Sequence, residues 1–246
     1  MKSRNLNSGH EIMSTHGILN ASKGKEQSRS LMFHSFEECL KVKGNNSFFL
    51  QTKEQDSREL WEIVFLAKYR PFLFSDISGV ITLNDINIIS ADIRTWQEGS
   101  VAEISVKARI LDDSNQDEKW ENLKRDLEKI FTSKLSLTYR LNLKVLPSIP
   151  SNSESPSSIS RVVVDNKSSD LFTVIHVFTQ DKVGLLYKMT HTLTDLKLLI
   201  KAARISTERN HVADTFYVHN LQGKKVEEIE QEREIRRALL HQVRGA

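Results

Sequence analysis

Apolar positions along the chain change their spacing in a fixed order, and that order occurs twice. In the second half, residues 171–178 (LFTVIHVF) form a β-branched and aromatic run that predicts a strand. Residues 184–197 then place Leu185, Leu186, Met189, Leu193 and Leu196 on one helical face. Two more strand-like runs, 199–207 and 212–219, are joined by the polar turn Glu208-Arg209-Asn210-His211. After the Gln222-Gly223 turn, Ile229, Ile235, Leu239 and Val243 predict a helix over 227–243. The first half reads the same way: strand 61–67, helix 72–84, strands 87–96 and 101–110, and helix 117–132 carrying Trp120, Leu123, Leu127 and Phe131.

Residues 135–146 set Leu135, Leu137, Tyr139, Leu141, Leu143 and Val145 on one face, which predicts a half-buried strand closing a βαββαβ unit. The second half reaches Ala246 just after its last helix, without such a strand, and Val162-Val163-Val164 could take the vacant sheet position. The order of the elements predicts two units in tandem, each mixing strands and helices in the order βαββαβ.

The two halves are an internal repeat. A shift of 112 residues lays WEIVFLAKYRPFLF (61–74) over TVIHVFTQDKVGLL (173–186) without a gap. Ile63 falls on Ile175, Thr82 on Thr194, Ala91 on Ala203, Ile93 on Ile205 and Leu127 on Leu239. Identities alone would be weak support, but the type of apolar periodicity switches at matching points in both halves. Residues 147–160 (PSIPSNSESPSSIS) are rich in Pro and Ser and read as a linker, because such a segment buries too little apolar area to offset its ordering. The expected organisation is therefore an N-terminal segment, 1–55, then one domain over 56–146, the linker 147–160 and a second domain over 161–246. Residues 1–30 are expected to be disordered or loosely held, with a short helix and a strand near 35–53. Phe48-Phe49-Leu50 is either a strand pairing with 61–67 or the remnant of an attachment to an upstream domain.

Composition narrows the function classes. Of 246 residues, 39% are hydrophobic and 27% charged, ordinary for a protein with buried cores. A net charge of +3 is too small to form the basic stripe that drives nucleic-acid binding. No run approaches the roughly 20 apolar residues of a membrane span, and polar residues follow Lys2 and Arg4 where a signal peptide would be apolar. A cytoplasmic protein without membrane or nucleic-acid partners is expected. The single cysteine, Cys39, excludes a disulfide framework and a thiolate-rich metal site. Ser35-Phe36-Glu37-Glu38 reads as a capping box opening a short helix, on which Cys39 would be buried as a small hydrophobe.

Four stretches carry a resemblance. Val-Asp-Asn at 164–166, Asp-Lys-Val-Gly-Leu-Leu-Tyr at 181–187, Ala-Arg-Ile-Ser-Thr at 203–207 and Asp-Thr-Phe-Tyr-Val at 214–218 make residues 162–226 similar to the final ACT domain of the bacterial PII uridylyltransferase family. Residues 60–131 resemble the preceding ACT domain of that family more faintly. The resemblance implies an α+β fold of two ferredoxin-like βαββαβ ACT domains in tandem, with antiparallel sheets and helices on one face. It implies as well that they pair side by side or face to face and bind a small metabolite, typically an amino acid, beside the loop between the first strand and first helix. In the family the ACT pair senses glutamine and controls catalytic domains N-terminal to it.

The residues of that loop suit such a ligand. Gln180, Asp181, Lys182, Val183, Gly184, Leu185 and Leu186 are the candidate binding residues. The first amides of a helix lack intrahelical acceptors and carry the positive end of its dipole, so a carboxylate is favoured beside them. Gly184 would let ligand atoms approach the turn, and Asp181 could receive an ammonium group. The alternative is a plain strand-to-helix connection in which Asp181 is an N-cap and Gly184 relieves backbone strain. In the first half Tyr69-Arg70-Pro71-Phe72 stands at the matching place, so the site there is expected to be lost or altered, with Phe72 filling it or packing in the core.

A uridylyltransferase needs Gly-Ser followed by paired aspartates to hold metal ions against the triphosphate, yet Gly99-Ser100 has no Asp-x-Asp after it and reads as a hairpin turn. No His-Asp dipeptide occurs, and the eight histidines lack metal-ligand spacing. No catalytic residues, metal or cofactor are therefore assigned. The reading is a non-catalytic regulatory protein that senses an amino acid such as glutamine. One alternative is the regulatory part of a split or decayed uridylyltransferase, acting with a separate nucleotidyltransferase chain. The other is a protein–protein adaptor without a ligand. Pairing would be within the chain or in a homo-oligomer.

Overall fold

The computed structural model describes residues 3–7, 23–55, 60–96, 100–111, 116–144, 160–208 and 211–244. The elements are β1 (Ser3–Asn7), α1 (Lys23–Lys43), β2 (Phe48–Gln55), β3 (Leu60–Lys68), α2 (Leu73–Leu83), β4 (Ile86–Trp96), β5 (Val101–Ile110), α3 (Gln116–Phe131), α4 (Leu137–Leu143), β6 (Arg161–Asp165), β7 (Thr173–Gln180), α5 (Leu185–Asp195), β8 (Leu199–Glu208), β9 (His211–His219) and α6 (Ile229–Arg244). The expected α+β, ferredoxin-like pair is present, and its strands join in one antiparallel sheet of order β1-β2-β3-β5-β4-β8-β9-β7-β6.

The 112-residue repeat is visible in the backbone. Phe49 pairs with Leu66 as Arg161 pairs with Phe178, and Leu50 with Phe65 as Val162 with Val177. The register shift between Ile88 and Ser90 in β4 returns between Ile200 and Ala202 in β8. Four residue pairs join the halves: Ser90 to Ser206, Ala91 to Ile205, Asp92 to Arg204 and Ile93 to Ala203. Asp92 and Arg204 are themselves repeat equivalents, so a pseudo-two-fold axis passes through that pair. Above it, the Ser78 hydroxyl of α2 lies 3.5 Å from that of Thr190 in α5, again an equivalent pair.

One face of the sheet carries the core. Ile63, Leu73, Val80, Ile81, Trp120, Leu123 and Leu127 in the first half, and Ile175, Met189, Leu193, Phe216, Ile235 and Leu239 in the second, are buried in one continuous cluster. The helix expected near residues 35–53 is α1, which begins earlier, at Lys23, and covers the opposite face: Phe36 packs on Phe49, Leu66 and Val101. Phe48 and Phe49 divide between the two faces because successive strand residues point opposite ways.

Three local expectations are corrected. Residues 135–146 do not form a strand, because α4 occupies 137–143 and the sheet position beside β3 is already held by β2. Leu137 and Leu141 are buried against the core, whereas Tyr139 and Leu143, 63% and 67% exposed, point outward. Phe48-Phe49-Leu50 is thus the strand pairing with 61–67, and Val162-Val163-Val164 fills the equivalent place beside β7. Ser35 does not open a helix: α1 begins at Lys23, inside the segment expected to be loosely held, and the Ser35 hydroxyl donates to the Leu31 carbonyl one turn earlier. Ile229 is 66% exposed at the first turn of α6, and Val226 is buried ahead of it instead. The Cys39 side chain, Gly99 and all but Ser160 of the Pro/Ser segment lie outside the described residues.

Candidate functional site

The β7–α5 connection turns through Gly184, at φ 80° and ψ 4°, a left-handed conformation that glycine adopts without steric cost. The Leu185 amide donates to the Lys182 carbonyl, closing the turn, and α5 starts at Leu185 without a side-chain cap. Asp181 is therefore not an N-cap. Its carboxylate instead accepts hydrogen bonds from the Asn87 side chain and the Lys182 amide, while burial pushes its pKa up.

Asp181, Lys182, Gly184, Leu185 and Leu186 line a crevice of about 340 Å3, counted to its open mouth. The far wall belongs to the first half: Thr82, Asn87 and Ile88. Thr207, Val212 and Asp214 line its floor beside Ile205. Its closed part, about 20 Å3, suits a single water, so a larger occupant requires side chains to move. Val183 is buried away from the crevice, and Gln180 ends β7 opposite His211.

Asp214 is a residue that the sequence reading missed. Only 2% exposed, it accepts the Ser206 amide at 3.1 Å. Burial first, and the nearby Asp181 charge second, push its carboxyl up to about 8. The crevice thus holds two carboxyl groups in a weakly solvated setting, facing the amide end of α5. Asp214 sits on β9, outside the 181–187 loop, in the Asp-Thr-Phe-Tyr-Val stretch that carries the resemblance but suggested no site role.

The equivalent place in the first half is filled. Tyr69 takes the position of Asp181, packs 6.0 Å from Phe74 and lies under the Lys201 ammonium at 4.6 Å. Burial pushes its phenol up to about 12. Phe72 takes the position of Gly184 and its ring turns out to His191 of α5, 5.3 Å away. Arg70 pairs with Asp76 at 2.7 Å and covers the Phe131 ring. Through Phe72–His191 and Tyr69–Lys201 this loop makes a packed contact between the halves.

Comparison with known proteins decides the class. Residues 161–245 match the family model described as the ACR9-like, ACT-like domain. The C-terminal half is an ACT-like domain. The first half repeats it in register, which makes the pair a tandem of ACT-like modules sharing one sheet.

The chain is similar to bifunctional uridylyltransferase/uridylyl-removing enzymes. That of Rhodospirillum rubrum is 31% identical over 190 residues, 77% of this chain and 19% of the enzyme. Those of Rhodopseudomonas palustris and Azospirillum brasilense are 28% and 29% identical over 76% and 78% of the chain, and 20% and 21% of the enzymes. The chain spans about a fifth of the length of these relatives. No helix among the described residues is long and apolar enough to cross a membrane.

Proposed function

We propose that the tandem is a non-catalytic regulatory protein that binds a free amino acid between its two ACT-like modules, in the crevice at Asp181 and Gly184. A free amino acid carries an ammonium and a carboxylate a few ångströms apart. One observation carries the reading: a buried carboxyl group, Asp214, and a half-buried one, Asp181, line the same small space as the first residues of α5. An ammonium would ionise the acids and pair with them, and the helix amides would hold the carboxylate. Thr82, Asn87 and Ile88 enclose the space from the other module, so occupancy would be felt at the seam between modules.

The test is a thermal-shift and calorimetric screen of the common amino acids, glutamine included. A ligand at 100 times its dissociation constant should stabilise the fold by about 2.7 kcal/mol, and Asp181→Asn should remove the response. Silence toward every amino acid would leave an adaptor whose paired modules only assemble.

A second reading adds a partner. Because the relatives carry the names of uridylyltransferases, the tandem would regulate a nucleotidyltransferase chain. Co-purification of such a chain that changes with the amino acid would support it.

A further inference from the structure

The sheet face opposite the crevice is treated differently in the two modules. In the first, α1 covers it, with Phe36 seated on Phe49, Leu66 and Val101. The repeat equivalents in the second module are Arg161, Phe178 and Ala213, and all three are exposed. No helix among the described residues covers them. The segment equivalent to α1, residues 135–155, holds α4, whose Leu137 and Leu141 pack on the core side, and then most of the Pro/Ser run. Phe178 is 42% exposed where its counterpart Leu66 is wholly buried. Its ring lies flat beside that of His176, centroids 6.4 Å apart, and half-buried Val163 pairs with His176 from β6.

The outer side of α1 carries a surface that matches. With 3.6 residues per turn, Leu31, Glu38 and Val42 fall on one stripe about 40° wide, opposite Phe33, Phe36 and Leu40. Leu31 is 59% exposed and Val42 74%. Large apolar residues aligned on the outside of a helix already packed on its inside mark an interaction surface. Glu37 and Glu38 are exposed on this side, and their charge complements Arg161 at the rim of the open sheet.

We infer that two copies of the chain pair through these surfaces, the outer stripe of α1 in each lying on β6 and β7 of the other, over Phe178. A two-fold axis parallel to the strands sets the first module of one copy opposite the second module of its partner, so the contact forms twice and closes the dimer. The outer stripe of α1 then meets Phe178 as its inner stripe meets Leu66. This surface lies on the far side of the sheet from the crevice, and the inference stands independently of amino-acid binding.

The experiment measures the mass of the full chain by light scattering over a concentration series, for the unaltered protein, Phe178→Asp and Leu31→Asp. Both side chains are exposed, and circular dichroism checks that the variants fold. The unaltered chain is expected to be a dimer, and each variant to weaken dimerisation at least tenfold. Cross-linking then reads the pairing in a Cys39→Ser background. A short bis-maleimide should join Leu31→Cys chains to Phe178→Cys chains, and neither kind to itself. A monomer at every concentration overturns the inference and leaves the open face to another protein. A dimer that neither Asp variant weakens also overturns it, as does cross-linking of Phe178→Cys chains to one another, which would set the two open sheets directly together.

Discussion

Phe72 and Gly184 stand at equivalent positions of the two modules and hold the same left-handed backbone, φ 64° and φ 80°. The turn geometry is the same with and without a glycine. In the second module it costs nothing; in the first a bulky residue occupies a conformation that costs an L-residue about 1–2 kcal/mol. Its ring against His191 offsets part of that cost by packing one module on the other.

Two substitutions separate strain from packing. Phe72→Ala loses the ring and keeps the strain, whereas Phe72→Gly loses both. Phe72→Gly should therefore be the more stable by about 1 kcal/mol in urea unfolding, the reverse of the usual Ala-over-Gly order near helices. At the other turn, Gly184→Ala should destabilise by about 1–2 kcal/mol. Equal stability of the two Phe72 variants would show that the strain is not there.

A tighter contact lies nearly two turns into α2. A Cβ on Gly79 would stand 2.6 Å from Leu137 Cδ2 of α4 and 2.7 Å from the Tyr187 ring of α5. The Tyr187 ring cannot easily retreat, because its hydroxyl also bonds the Thr138 hydroxyl at 2.9 Å. Glycine is needed here for space, so helix propensity, which favours alanine by about 1 kcal/mol, should lose. Gly79→Ala is expected to destabilise by about 1–2 kcal/mol net, an ordinary cost of overpacking. Adding Leu137→Ala to Gly79→Ala should then cost less than Leu137→Ala alone, as a double-mutant cycle would show.

The tandem architecture was legible in the sequence because the repeat preserves spacing as well as apolar character. Even the two register shifts, at Ile88/Ser90 and Ile200/Ala202, fall in step. The segment 135–146 misled for a physical reason. Leu137 and Leu141 satisfy both an alternating strand pattern and the i,i+4 pattern of a helix, and only the occupation of the sheet edge by β2 decides between them. The loop 181–186 drew attention because glycine before an apolar helix is a local signal. Thr82, Asn87, Ile88 and Asp214 were invisible because they reach the crevice only once β4 pairs with β8 and β9 folds beside β7.

The edge strand β6 offers a direct measure of how the second module is completed. Val162, 5% exposed, pairs with Val177 and faces the core. Val162→Asp would bury a carboxylate with no partner beside it, and a loss of about 2–4 kcal/mol is expected, by the same mechanism that makes unpaired buried charges costly. Arg161→Asp, on an exposed neighbour in the same strand, should change stability by less than about 0.5 kcal/mol. Similar losses in both would mean that β6 does not belong to the core.

Asp214 should leave a signature in the pH dependence of folding. Its carboxyl is pushed up to about 8 by burial, so the folded protein keeps a proton that the unfolded chain releases near pH 4. Between those values the native state binds more protons than the unfolded one, and stability must fall as pH rises. The slope contributed is at most about 1.4 kcal/mol per pH unit, flat below pH 4 and again above pH 8. Asp181, raised by burial as well, acts in the same direction. Asp214→Asn keeps an oxygen for the Ser206 amide but cannot ionise. Its stability should fall less steeply than that of the unaltered protein between pH 5 and pH 8, and exceed it at pH 8. Because other carboxyl groups are common to both proteins, the difference between the two urea-unfolding series isolates Asp214, and parallel series would place its proton elsewhere. An amino acid whose ammonium pairs with these acids should shrink that difference, since binding would favour the ionised carboxylate and release the proton to solvent.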